Sequence, residues 1–132
     1  MTADGVQRVS SGGQWEEAFG YSRAIAVGDF VFVSGCTGFV EGVLVGEGNP
    51  FEQAQAAFGI AEQALGELGL TRDDVVRTRM YITHKRDADS VGRAHKEFFD
   101  EVRPAATMVV VSALIDSRML VEVEVEAYRG AK

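Results

Sequence analysis

The segment that most restricts how this chain can fold is residues 103–128, RPAATMVVVSALIDSRMLVEVEVEAY. From Val121 onward valine and glutamate alternate without a break. A strand repeats every two residues, so Glu122, Glu124 and Glu126 share one face and Val121, Val123 and Val125 the other. The earlier half is different in kind. Residues 107–114 form a nearly unbroken apolar run rich in valine, the pattern of a strand buried on both faces.

Neighbouring carboxylates on the glutamate face stand roughly 6.5–7 Å apart along the strand. Where water is excluded, repulsion and desolvation both favour holding a proton, which suits a general acid or base. The commoner fate of an alternating strand is half burial with its polar face in solvent. Periodicity alone leaves both readings open.

Composition narrows the function classes. A chain of 132 residues, 46% of them hydrophobic, is about one domain's worth and long enough to bury a core. Its formal charge of -7 argues against nucleic acid as a partner, since such binders present a basic patch that displaces counterions. The single cysteine, Cys36, excludes an intrachain disulfide. With no signal-peptide pattern and no run of 18 apolar residues, the expectation is a cytoplasmic protein without a membrane span. His84 and His95 are far apart and poorly accompanied, so no metal site is expected.

Residues 1–13 carry little hydrophobic pattern and read as a loosely held arm. Residues 21–27 and 30–34 are apolar runs separated by Gly28-Asp29, a hairpin signal. A short strand or loop spans 39–45, broken at Glu41-Gly42. Asn49 can cap a helix that Pro50 opens, with Glu52 in the acid-favouring first turn. Phe51, Ala54, Phe58, Ala61, Leu65 and Leu68 form its apolar stripe, and Gly69 stops it. Residues 75–83 alternate as a strand, with Val76, Thr78, Met80 and Ile82 on one side and Arg77, Arg79 and Tyr81 on the other. A second helix spans 88–102, capped by Asp87 or Asp89, burying Val91, Ala94, Phe98 and Val102 and ended by Pro104. The order predicts an α+β protein, a mixed β-sheet with two helices packed on one face. The other face, bearing arginines and glutamates, then needs cover, so a homo-oligomer with sites at its interfaces is expected.

The ordered series GYSRAIAVGDFVFVSG (20–35), TRMYIT (78–83), RPAATMVVV (103–111) and LVEVEVEA (120–127) resembles the RidA/YjgF family of reactive-intermediate deaminases, also called the L-PSP endoribonuclease family. The resemblance spans nearly the whole chain. It implies a chorismate-mutase-like fold and a homotrimer with a small-molecule cleft between subunits; neither it nor the residues call for a cofactor or a metal. It assigns the water-handling glutamate to Glu122 or Glu124, because the repeat lets the alignment slip by two, with Glu124 preferred. It puts Tyr21, Ser34, Gly35 and Cys36 along the cleft. It also exposes a departure: the family's carboxylate-gripping arginine falls on Ala106, which can donate nothing, so the implied reaction is hydrolysis or deamination of an enamine, imine or related compound other than 2-aminoacrylate. The asparagine that many members carry on the second helix is also absent, its place falling at or near Gly92 or Arg93. Arg103, in the same loop, heads the candidates for a replacement grip, ahead of Arg77, Arg79 and Arg118. The alternative is a trimer that binds a metabolite or partner without turnover; ribonuclease activity fits the charge least.

Overall fold

The computed structural model describes residues 5–131. In chain order it contains β1 (Val6–Val9), α1 (Gln14–Phe19), β2 (Ala24–Val27), β3 (Phe30–Cys36), β4 (Phe39–Val40), β5 (Val43–Leu44), α2 (Pro50–Glu67), β6 (Val75–Ile82), α3 (Ala88–Phe99), β7 (Ala105–Val110) and β8 (Val121–Tyr128). Six strands form one sheet in the order β1-β2-β3-β8-β6-β7, and β4 and β5 form a separate hairpin. Only the β6–β7 pairing is parallel. The central position of β8 follows from its sequence: its valines are buried and its glutamates half-buried in strict alternation.

The core lies between one sheet face and the two long helices. Val31, Val33, Met80, Ile82, Val121, Val123 and Val125 meet Phe58 and Leu65 of α2 and Val91, Ala94 and Phe99 of α3. Each such large side chain contributes about 1.5–3 kcal/mol by leaving water. Small residues Ala54, Ala57, Ala61 and Ala64 let α2 lie close to the sheet. The expected start of α2 is present: the Asn49 side chain accepts from the Glu52 backbone N–H at 3.1 Å, and Pro50 is the first helical residue. The β2–β3 hairpin turns at Gly28, where φ is 60°.

Five expectations are corrected. Within the described part of the supposed arm, residues 6–9 are an ordered edge strand paired with β2, and α1 follows; residues 1–4 lie outside the described residues. β1 escaped notice because Gln7 and Arg8 break its apolar pattern. The apolar run 107–114 is not a doubly buried strand. β7 spans 105–110 at the sheet's edge, paired only with β6 and mostly exposed in the single chain. Val76 is 42% exposed because a bulge between Val75 and Arg77 turns it away, and Val75 takes the buried place. The second helix ends at Phe99, which is buried, while Phe98 and Val102 are only partly so. Asp87 occupies its N-terminal cap position without a side-chain capping bond.

Candidate active site

The open face of the sheet carries three glutamates in three environments. Glu126 is paired with Arg79. Glu124 accepts a hydrogen bond from the Tyr81 hydroxyl at 2.9 Å. Glu122 is half-buried and accepts no hydrogen bond from any described residue. Burial raises its pKa above the ordinary carboxylate value; repulsion from Glu124 adds to this, and Arg23 opposes it. A carboxyl group whose pKa is raised this way holds its proton more readily than a free one, which suits it to proton transfer.

The space for Glu122 is made by β3. The pairing Val33↔Val125 shifts to Cys36↔Val123, so Ser34 and Gly35 together face one residue of β8 in a bulge. At Gly35 an added Cβ would lie 1.9 Å from Glu122 Oε2, so only glycine leaves room for the carboxylate. Ser34 Oγ is spent on the Ser22 carbonyl at 2.6 Å. Cys36 is buried in the core, and burial pushes its thiol up to about 11 despite the nearby Arg23, which leaves it a neutral packed group.

The bulge is held from behind by Arg23, which sequence reasoning passed over. Arg23 Nη1 donates to the Gly35 carbonyl at 2.6 Å and to the Ser34 carbonyl at 3.4 Å, and Nε faces Glu16 Oε2 at 3.4 Å. Both partners are buried. Burial acts to raise the Glu16 pKa, but hydrogen bonds from Ser11 and Ser10 and the Arg23 charge outweigh it, so Glu16 stays ionised. A charged residue at the head of an apolar strand, seven positions after the acid of a short helix, was the signal available in the sequence. Tyr21 completes this corner: its ring centroid is 5.7 Å from the Arg23 guanidinium carbon.

Tyr21, Ser34, Gly35, Cys36 and Glu122 are therefore gathered at one end of the sheet. Ala106 and Arg103 are not. Ala106 pairs with Thr78 on β7, three strands from β3, or roughly 14 Å across the sheet. His95 lies over the same part of the sheet, bonded to Thr78 Oγ1 at 2.8 Å. Arg103 has an exposed side chain that donates to the Asp100 carbonyl and carboxylate. Arg118 is engaged with Asp116, and Arg77 donates to Thr107 Oγ1 at 2.8 Å. An open groove of about 590 Å³ lies elsewhere on the face, lined by Val27, Phe30, Val76 and Tyr128, and holds none of the gathered groups. Among the described residues no cluster of three or more His, Cys, Asp or Glu could hold a metal, and no helix is long and apolar enough to cross a membrane.

Comparison with known proteins places this geometry. The family model described as Endoribonuclease L-PSP matches residues 14–129. The Streptomyces coelicolor protein SCO2049 is 57% identical over 131 residues, covering 99% of this chain and 98% of its own. A 2-iminobutanoate/2-iminopropanoate deaminase of Dermatophagoides farinae is 32% identical over 95 residues, covering 71% of this chain and 74% of its own. Among solved structures, Rv2704 of Mycobacterium tuberculosis, a member of the YjgF/YER057c/UK114 family, superposes with a TM-score of 0.85 at 41% identity, covering 93% of this chain and 98% of that one. The sheet with helices on one face is thus the chorismate-mutase-like α+β fold, and the chain belongs to the YjgF, or RidA, family matched by the L-PSP endoribonuclease model.

Proposed function

We propose that this chain assembles as a homotrimer and hydrolyses a small imine, enamine or related unsaturated compound in the clefts between subunits, with Glu122 as the proton-handling group. The observation that carries the reading is the state of Glu122: half-buried, raised in pKa, free of hydrogen bonds to described residues, and seated in the space left by Gly35. In the imine case Glu122 accepts a proton as the water oxygen bonds to the electrophilic carbon. It returns that proton to the nitrogen to give a carbinolamine, then takes the hydroxyl proton and delivers it to the nitrogen as the carbonyl forms and the carbon–nitrogen bond breaks, so ammonia and a carbonyl compound leave. No oxidant or cofactor enters this balance. The similar deaminase from Dermatophagoides farinae supports the reaction class.

Assembly is supported by the sheet's open face. Val27, Phe30, Phe32 and Val109 are each at least 41% exposed there, and β7 presents an unpaired edge. Exposed apolar area of this kind marks an association surface. A second copy would also bring a β7 edge to the β3 side of the Glu122 corner, from which one chain holds its own β7 three strands, or roughly 14 Å, away. Light scattering after size exclusion should give three times the chain mass of 14.3 kDa; a monomer would remove the cleft from the proposal.

Ala106 keeps a second reading in play, a trimer that binds a metabolite without turnover, because alanine cannot grip a carboxylate from β7. The deciding assay supplies imines generated in place by an amino-acid oxidase and follows their decay and ammonia release. Turnover that is lost in Glu122→Gln supports hydrolysis. No rate above buffer across the panel, with a ligand recovered unchanged, selects the binding reading. Cleavage of RNA is disfavoured by the charge of -7.

A further inference from the structure

We propose that Arg23 is a positioning residue for Glu122: seated on the Glu16 carboxylate, its guanidinium clamps the carbonyls of the β3 bulge and so fixes the notch at Gly35 in which the Glu122 carboxyl group sits. This rests on the reading of Glu122 given above and adds the groups that support it. The Arg23 backbone is tied on both sides, its N–H donating to the Val9 carbonyl at 2.8 Å and its own carbonyl accepting from the Ser34 N–H at 2.9 Å. From that fixed point Nε faces Glu16 Oε2, and Nη1 donates to the Gly35 and Ser34 carbonyls. Those two residues are the ones that together oppose a single residue of β8. A bulge interrupts the ladder that would otherwise orient its peptides. Here the guanidinium supplies the missing restraint.

Stability alone gives a poor account of this pair. Arg23 is 8% exposed and Glu16 5%, and the desolvation of such a pair offsets its attraction, so an apolar pair of similar volume holds a fold as well or better. An apolar pair cannot donate to a carbonyl. The orientation of Gly35 is where that matters, because a Cβ there would overlap the Glu122 carboxylate, and a small rotation of the glycine changes the room left for it. Charge acts in addition. Tyr81, opposite Glu122 on β6, gives its hydroxyl to Glu124, and Cys36 on β3 is a neutral thiol. Glu124 on the same strand favours the protonated form of Glu122, and Arg23 opposes it. The cation that shapes the notch thus also favours the ionised form of the carboxyl group inside it. Such support behind a reacting group holds it within the narrow range of positions that proton transfer tolerates.

The test uses the full chain labelled with 13C-glutamate. The Glu122 carboxyl resonance, identified by its absence from Glu122→Gln, is titrated, and kcat and KM are measured for imines generated in place by an amino-acid oxidase. In Glu16→Leu/Arg23→Met an apolar pair replaces the ion pair, which keeps the fold and removes both clamp and charge. Glu122 should then titrate at higher pH than in wild type, and kcat should fall about 10- to 100-fold with KM changed less than about threefold. Arg23→Lys keeps the charge but puts one ammonium in place of the fork, so Glu122 should titrate as in wild type while kcat falls about tenfold. A double variant with the wild-type titration and kcat would overturn the proposal, as would Arg23→Lys at the full wild-type rate. A double variant that fails to fold would make the pair a prop of the whole fold and overturn it too; should Arg23→Lys fail to fold, the double variant decides. If wild type hydrolyses no imine, the reading of Glu122 as the proton-handling group falls, and the titration of the double variant alone decides the role of Arg23.

Discussion

Replacing Gln53 by methionine should cost about 1–4 kcal/mol, and the figure can be built from its contacts. Gln53 is fully buried in α2, and its amide clamps three backbone groups from two loops. Nε2 donates to the Gly46 carbonyl and to the Arg118 carbonyl, each at 3.1 Å, and Oε1 accepts from the Leu120 N–H at 2.8 Å. Methionine matches the length but offers none of these. The Leu120 N–H loses its partner at about 1–3 kcal/mol. The two carbonyls belong to residues that retain some solvent access, so each costs less, about 0.5–1 kcal/mol. Burying a thioether in place of an amide returns about 1 kcal/mol. The measurement is urea denaturation at fixed protein concentration, because assembly makes stability depend on concentration, paired with hydrogen exchange at the Leu120 amide. A loss under about 0.5 kcal/mol with unchanged protection at Leu120 would refute the clamp. Leu120 stands two residues before Glu122, so the same variant tests whether this clamp sets the approach of β8 to the site.

Four further outcomes follow from named contacts. Gly35→Ala puts a methyl group on the Glu122 carboxylate, whose flexible end can swing away; the melting temperature should change by only about 2–3 °C while hydrolysis falls about 100-fold, and unchanged hydrolysis would contradict the role of that space. Burial lowers the His95 pKa, so the neutral ring is favoured in the fold; its contribution is whole above about pH 6.5 and is lost as pH falls from there through the depressed folded value. The melting temperature of wild type should therefore fall more steeply below about pH 6.5 than that of His95→Gln, and parallel curves would argue against it. Cys36, with its thiol at about 11, should react slowly with iodoacetamide at mildly alkaline pH until urea unfolds the chain. Glu41 has φ of 51° ahead of Gly42 at 82° in the β4–β5 turn, so Glu41→Asn should raise stability by about 0.5–1 kcal/mol in the same denaturation assay.

The fold was legible wherever one local rule governed a whole element. The alternation in β8 named both its faces, and the Asn49-Pro50 start and apolar stripe of α2 named its position and buried side. Elements at the sheet's edges were not legible. β1 is short and mixed in polarity, and its strand character comes from pairing with β2. β7 misled in the opposite direction: its apolar run reads as core, yet it lies exposed at an edge of the single chain. Apolar sequence reports that a surface will be covered, not whether the cover comes from the same chain.

Residue types alone listed three equivalent carboxylates, and a repeat of Val-Glu units contains nothing to distinguish them. Their difference comes from what lies across the strand: Arg79 on Glu126, Tyr81 on Glu124, and the vacant side of Gly35 beside Glu122. Arg23 and Glu16 escaped sequence reading for the same cause, since their pairing runs between a short helix and a strand and reaches the Glu122 corner only where the β3 bulge brings the Gly35 carbonyl to the guanidinium. Periodicity is a property of one element and survives in one dimension. Ionisation, donor satisfaction and the space around a carboxylate are set by neighbours remote in sequence, so they exist only once the strands are in register.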